Sequence, residues 1–151
     1  MSGGDDVVVR KAVMEDKDAI VHIFDESSYE LSAANLGAIK GDIKEGRMLV
    51  AVKDGKVVGF LSFNIRKDKK AILYYIGVDA FYRRRGVGRK LMEELIKVAK
   101  EKSCKEIILK CPAWIDAIEF YKKLKFKVVG EEVKETRKGK RVKLVVFKYE
   151  L

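Results

Sequence analysis

Apolar residues along this chain follow two periods, and the switches between them divide it into alternating strand-like and helix-like segments. Residues 7–12 alternate weakly and predict a strand. Ile20, Ile23 and Phe24 then recur at helical spacing behind Asp16, a residue suited to an N-cap. Leu36, Ile39 and Ile43 predict a second short helix that Gly46 ends, and the linker between the two helices is polar. The continuous apolar run 48–52 and the run 57–64 flank Lys53-Asp54-Gly55-Lys56, whose Asp-Gly pair is a hairpin turn signal. A charged turn at 66–70 leads into a strand over 71–78. Beyond a glycine-rich loop, Val87, Leu91, Leu95 and Val98 fall on one face of a helix. Residues 106–111 have the length of a buried strand, which Pro112 is expected to stop. A helix over 114–124 then places Ala117, Phe120, Tyr121 and Leu124 together. Two closing strands, 127–134 and 142–149, are separated by a poorly patterned basic loop, 135–141. The resulting order, β, α, α, β, β, β, α, β, α, β, β, favours a mixed α/β sheet.

Composition narrows the class without choosing a function. A chain of 151 residues with 48% hydrophobic content fits one domain with a proper core. Its formal charge of +10 suits nucleic acid, an acidic membrane surface or an anionic cofactor equally. No apolar run approaches the roughly 18 residues of a membrane span. Residues 1–6 are polar and acidic where a secretory leader would be basic and then apolar, so a cytoplasmic location without membrane association is expected. Cys104 and Cys111 lack metal-ligand spacing and His22 is the only histidine, so neither a metal site nor a Cys/His nucleophile is expected. Gln is absent, Asn occurs only at Asn35 and Asn64, and Lys and Glu are abundant, the compositional habit of a thermophile protein.

The chemistry concentrates at Tyr82-Arg83-Arg84-Arg85-Gly86-Val87-Gly88-Arg89, between the strand 71–78 and the helix that follows. Glycines let a backbone approach an anion closely, and a helix N-terminus adds donors and a partial positive charge. Arg83, Arg84, Arg85, Arg89 and Lys90 raise the local potential. The spacing matches neither GxxxxGK[ST] nor GxGxxG, so the ligand reads as some other polyphosphate. The competing reading of the arginines is a solvated basic face, and the adjacent glycines tip the balance toward a site.

The element order, the Arg-x-x-Gly-x-Gly of Arg83 to Gly88, the Phe120-Tyr121 pair and Lys125-Phe126 together resemble the GCN5-related N-acetyltransferases over almost the whole chain. The resemblance implies a single-domain fold with a mostly antiparallel central sheet of about seven strands, about four helices, and central strands that splay to admit acetyl-CoA. It implies that the backbones of Ile76, Gly77 and Val78 bind the acetyl and pantetheine amides. Arg83, Arg84, Arg85, Gly86, Val87, Gly88 and Arg89 would hold the pyrophosphate, and Tyr121 would protonate the departing thiolate. A core packing role competes for Tyr121, because it shares a stripe with Ala117 and Leu124. The chain departs from the family at Trp114, where many relatives carry Asn, and at Lys125, where Gly is usual. No carboxylate lies within 72–78, so the base stays open among water, Tyr74, Tyr75 and Glu30, with Tyr75 and Glu30 the candidate acceptor contacts. The implied activity is acetyl transfer from acetyl-CoA to a primary amine: a protein N-terminus, a peptide or a small amine. A CoA-binding module without catalysis is the alternative. No nucleic-acid partner is expected, since exposed aromatics interleaved with the basic residues are lacking. A homodimer is compatible with the sequence.

Overall fold

The computed structural model describes residues 6–27, 36–113, 117–136 and 138–151. Strand β1 (Val8–Lys11) is followed by helices α1 (Lys17–Ser27) and α2 (Leu36–Lys44), strands β2 (Met48–Lys53), β3 (Lys56–Ile65) and β4 (Lys70–Val78), and helix α3 (Val87–Glu101). Strand β5 (Glu106–Pro112), helix α4 (Ala117–Lys123) and strands β6 (Lys127–Glu135) and β7 (Arg141–Glu150) complete the chain. The element order is the one the periodicity predicts. The seven strands lie in the order β1-β2-β3-β4-β5-β7-β6. β4 and β5 are parallel, while β1–β2, β2–β3, β5–β7 and β6–β7 pair antiparallel. Among the described residues no helix is long and apolar enough to cross a membrane.

The chain divides into two compact units, Met1–Phe63 with Tyr75–Leu95, and Asn64–Tyr74 with Ile96–Leu151. In the first, Ile20 and Ile23 of α1 and Ile39 and Ile43 of α2 are buried with Met48, Val50 and Phe60 in one cluster. The hairpin turn is the type the Asp-Gly signal demands. Asp54 and Gly55 both have positive φ, 50° and 76°, which matches the twist of the flanking strands. In the second unit β7 lies between β5 and β6, and Ile107, Leu109 and Phe147 are almost fully buried.

Three sequence expectations need correction. Asp16 does not cap α1 in the forward sense; it ends a 3₁₀ turn, Met14–Asp16, and its carboxylate reaches back to accept the Val13 N–H at 2.8 Å. Arg10 donates to the same carboxylate at 2.8 and 3.1 Å. Pro112 does not stop β5 before itself but is its last residue, opposite Leu144; a strand end tolerates the missing N–H. On α3 the buried stripe is wider than the expected seam, since Met92 and Ala99 are fully buried with Leu91 and Leu95 while Val98 is half-buried.

Candidate active site

The loop between β4 and α3 is shaped mainly by its own backbone. Asp79, buried at the end of β4, donates its N–H to the Val58 carbonyl at 2.8 Å, and its Oδ1 accepts the Phe81 N–H at 3.0 Å. These bonds close the 3₁₀ turn Ala80–Tyr82, which Tyr82 N–H to Asp79 O reinforces at 2.8 Å. Arg83 Nε then folds back onto the Val78 carbonyl at 3.2 Å. Arg84 has φ of 62° and Gly86 φ of 82°, so the chain passes twice through the left-handed region just before α3 begins at Val87. Lys90 N–H to Gly86 O, 3.1 Å, is the bond that closes the first turn. The N–H groups of Val87, Gly88 and Arg89 therefore precede any acceptor within their own helix and form the donor end of its dipole.

Cationic side chains surround those donors. Arg83, Arg84, Arg85 and Arg89 are exposed, and Lys90 is half-buried with Nζ 3.5 Å from the Val7 carbonyl. Lys56, the first residue of β3, and Arg85 both pack on the Tyr82 ring, at 5.6 and 5.7 Å from its centroid. The arrangement suits a polyanion: N–H donors at a helix start, a backbone curved by two positive-φ residues, and guanidinium groups around it.

Gly59 contributes a constraint that the sequence reading missed. A Cβ there would lie 3.0 Å from Val87 Cγ1, 3.1 Å from the Gly77 carbonyl and 3.2 Å from Leu91 Cδ1. Only a glycine lets β3 lie this close to both the end of β4 and the start of α3. Gly77 itself is buried, and Ile76 and Val78 beside it are half-buried. Among the described residues the β4–β5 register runs from Lys70↔Glu106 to Leu73↔Leu109, whereas β4 continues to Val78 and β5 to Pro112.

The two candidate tyrosines have different surroundings. Tyr75 stacks on Phe24 at 4.3 Å between centroids and on Phe60 at 5.5 Å, so its ring is part of the first unit's aromatic packing. Tyr121, on α4, is buried among Phe120, Phe126 and Phe147, with centroids 5.4 to 6.0 Å away. Cys111 is also buried in the second unit, and burial pushes its thiol up to about 11, which keeps it protonated and unreactive at neutral pH. Glu30 and Trp114 lie outside the described residues.

One cluster was not foreseen. Glu26, in the last turn of α1, accepts the Ala80 N–H on Oε1 at 3.2 Å, and its Oε2 lies 3.2 Å from His22 Nε2. His22, Glu26 and Asp79 each bring a ring nitrogen or carboxylate oxygen to within 4.8 Å of the others'. The i, i+4 spacing of His22 and Glu26 is visible in sequence, but their contact with a loop 54 residues away is not.

The family model for acetyltransferases of the GNAT family matches residues 17–126, from the start of α1 to the end of the α4 turn. The chain belongs to the acetyltransferase (GNAT) family. Among its relatives, a 5-NmdU N-acetyltransferase of Pseudomonas phage PaMx11 is 29% identical over 132 residues, covering 84% of this chain and 91% of the relative. Ard1 from Thermoplasma volcanium superposes with a TM-score of 0.86 at 20% identity, covering 97% of this chain and 98% of that one. The structure of yncA from Salmonella typhimurium with its cofactor acetyl-CoA superposes with a TM-score of 0.81 at 18% identity, covering 97% and 94%. At such identities these structures establish a shared GNAT fold, and the family match makes this chain an acyltransferase by descent.

Proposed function

We propose that the chain transfers acetyl from acetyl-CoA to a primary amine by direct attack in a ternary complex. The observation that carries this reading is the loop 79–89, with its helix-start N–H groups, two positive-φ residues and four exposed arginines. The backbones of Ile76, Gly77 and Val78 hold the acetyl and pantetheine amides. The N–H groups around Gly86, Val87, Gly88 and Arg89 grip the pyrophosphate, with Arg83, Arg84 and Arg85 adding charge. A backbone N–H at the end of β4 polarises the thioester carbonyl as negative charge develops on its oxygen. Tyr121, whose ordinary phenol pKa is near 10, returns a proton to the departing thiolate.

We place the acceptor beside the loop 135–141, whose charge favours acceptors that are not strongly cationic. Lys138, Lys140 and Arg141 are exposed there, so polyamines and lysine-rich tails are repelled, while a protein N-terminus, a neutral peptide or a small amine is not. Calorimetric titration with acetyl-CoA tests the cofactor half of the reading. Micromolar affinity, roughly −8 kcal/mol, is expected for the unaltered chain and not for Arg85→Glu. The acceptor half is tested by CoA release with a panel of neutral peptides with free N-termini, a lysine-rich peptide, spermidine and 5-NmdU, the last because the phage relative is named for it. Binding without turnover on any member would leave a CoA-holding module. No binding would remove both readings.

A further inference from the structure

We propose that His22, oriented by Glu26, is the general base that deprotonates the incoming amine; this rests on the acetyl-transfer reading above. Strand β4 offers no carboxylate for that task between Ile72 and Val78, and the Tyr75 ring is packed on Phe24 and Phe60, which favours a base from a neighbouring element. The second half of α1 supplies one. His22 and Glu26 stand at i and i+4 with Nε2 and Oε2 3.2 Å apart, and the other carboxylate oxygen accepts the Ala80 N–H at 3.2 Å. Glu26 is thus held at both oxygens and presents a fixed acceptor to the imidazole. An Nε2–H donated to that carboxylate leaves the lone pair on Nδ1, the tautomer a base requires. The same division of labour between a carboxylate and an imidazole serves hydrolases, where the acid orients the ring and steadies the imidazolium.

The surroundings fit this role better than that of a surface ion pair. An exposed i, i+4 pair contributes about 0.3–0.5 kcal/mol and has no reason to engage a distant loop. Here the pair is fastened to Ala80, two positions beyond Val78, whose backbone is assigned to the acetyl and pantetheine amides. Two carboxylates face the imidazole, Glu26 from its own helix and buried Asp79 from the loop, with ligand atoms all within 4.8 Å. The His22 side chain is 69% exposed, so an acceptor can reach it. Histidine is also the residue whose ordinary titration range lies closest to neutral pH, where a base for an ammonium must work.

The proton count closes. The acceptor R–NH₃⁺ gives one proton to Nδ1 of His22, and the neutral nitrogen attacks the thioester carbon. The C–S bond then breaks, the thiolate sulfur takes a proton from Tyr121, and the amide nitrogen loses its second proton to water. Tyr121 is reprotonated from water and His22 releases its proton, so the net products are the N-acetyl amine, CoA–SH and one proton.

The experiment measures kcat/KM against pH for the unaltered chain, His22→Ala, Glu26→Gln and Glu26→Ala, with the best acceptor of the panel above and with acetyl-CoA affinity determined separately. His22→Ala is expected to lower kcat/KM about 100-fold at neutral pH, to leave acetyl-CoA affinity within about twofold, and to regain activity when free imidazole is added. The acid limb of the profile moves with it, and Glu26→Gln loses about tenfold. Activity of His22→Ala within about threefold of the unaltered chain, or no response to imidazole, overturns the proposal. A loss that resides in acetyl-CoA affinity, absent from Glu26→Gln and present in Glu26→Ala, also overturns it and makes Glu26 a positioning residue for the loop. If the unaltered chain binds acetyl-CoA but turns over no acceptor, the acetyl-transfer reading fails and this inference with it.

Discussion

The loop after β4 and the ring of Tyr121 are assigned to the same reaction, yet they are built in opposite ways. The loop is largely exposed and acts through its main chain; Asp79, Arg83 and Gly86 bend it, its arginines are exposed, and residues 82–90 include no carboxylate. Tyr121 is buried, and its proposed role rests on one oxygen of a ring that three phenylalanines surround. In the loop, function and folding make different demands on different atoms, so a residue can be changed for one at little cost to the other. At Tyr121 the two demands fall on one side chain.

The largest expected effect comes from separating those demands at Tyr121. Tyr121→Ala removes a buried aromatic ring and should cost about 3–5 kcal/mol of stability, the range for large-to-small aromatic truncations. Chemical denaturation measures it, and a loss under 1 kcal/mol would mean the ring is not the packing element its contacts indicate. Tyr121→Phe keeps the ring, so it should stay within about 1 kcal/mol of the parent in stability while turnover falls about 10- to 100-fold. Unchanged turnover would end the acid role of Tyr121. In the loop the pattern should invert. Gly86→Asp places a side chain at φ of 82° and a negative charge at the proposed pyrophosphate site. Acetyl-CoA affinity should fall about 100-fold, close to 2.8 kcal/mol at 1.4 kcal/mol per decade, with only about 1 kcal/mol lost in stability. Equal losses in binding and folding would erase the contrast between the two regions.

The same contrast explains how much could be read from residues alone. Local rules set the element order, the Asp54-Gly55 hairpin and the glycine-bracketed loop, because each depends on neighbours within a few positions. The pairing of Glu26 with Ala80 and the close approach at Gly59 depend on segments brought together by the sheet, and no periodicity reports such contacts. Asp16 shows the intermediate case. Its position before a helix was legible, but Arg10, six residues upstream, and the Val13 N–H draw its carboxylate backward. Tyr121 on an apolar stripe looks the same to a sequence reader whether it packs or reacts, and its burial preserves that ambiguity.

A smaller effect is expected at Asp16. Burial by itself would raise its carboxyl, but the Arg10 hydrogen bonds, the Val13 N–H and the Arg10 charge outweigh it and hold the group below the ordinary carboxylate value. A folded-state pKa below the unfolded one means that the unfolded chain binds the proton first. The stabilisation is therefore fully present above about pH 4 and is lost as pH falls through the folded value. Because the Arg10 side chain is 43% exposed, solvent screening keeps the cost of Asp16→Asn to about 1–2 kcal/mol at neutral pH. Melting curves from pH 7 down to 3 should show parent and variant converging in acid; parallel curves would contradict the assignment.

The smallest effect is expected at Lys125, and its sign is the informative part. Lys125 follows α4 at φ of 71°, where its N–H bonds the Lys122 carbonyl at 2.9 Å and the Phe126 N–H bonds the Tyr121 carbonyl at 3.0 Å. This is a left-handed helix ending, the conformation that glycine adopts without a Cβ penalty. Lys125→Gly relieves a strain of about 1 kcal/mol but gives the unfolded chain more freedom, so the net gain should be about 0.5 kcal/mol. For a chain of this size that corresponds to a melting temperature higher by about 1–2 °C. Acetyl-CoA affinity should not move, since the residue belongs to the turn behind Tyr121 and not to the loop. A lower melting temperature would show that the lysine supplies a contact worth more than the strain it imposes on this turn.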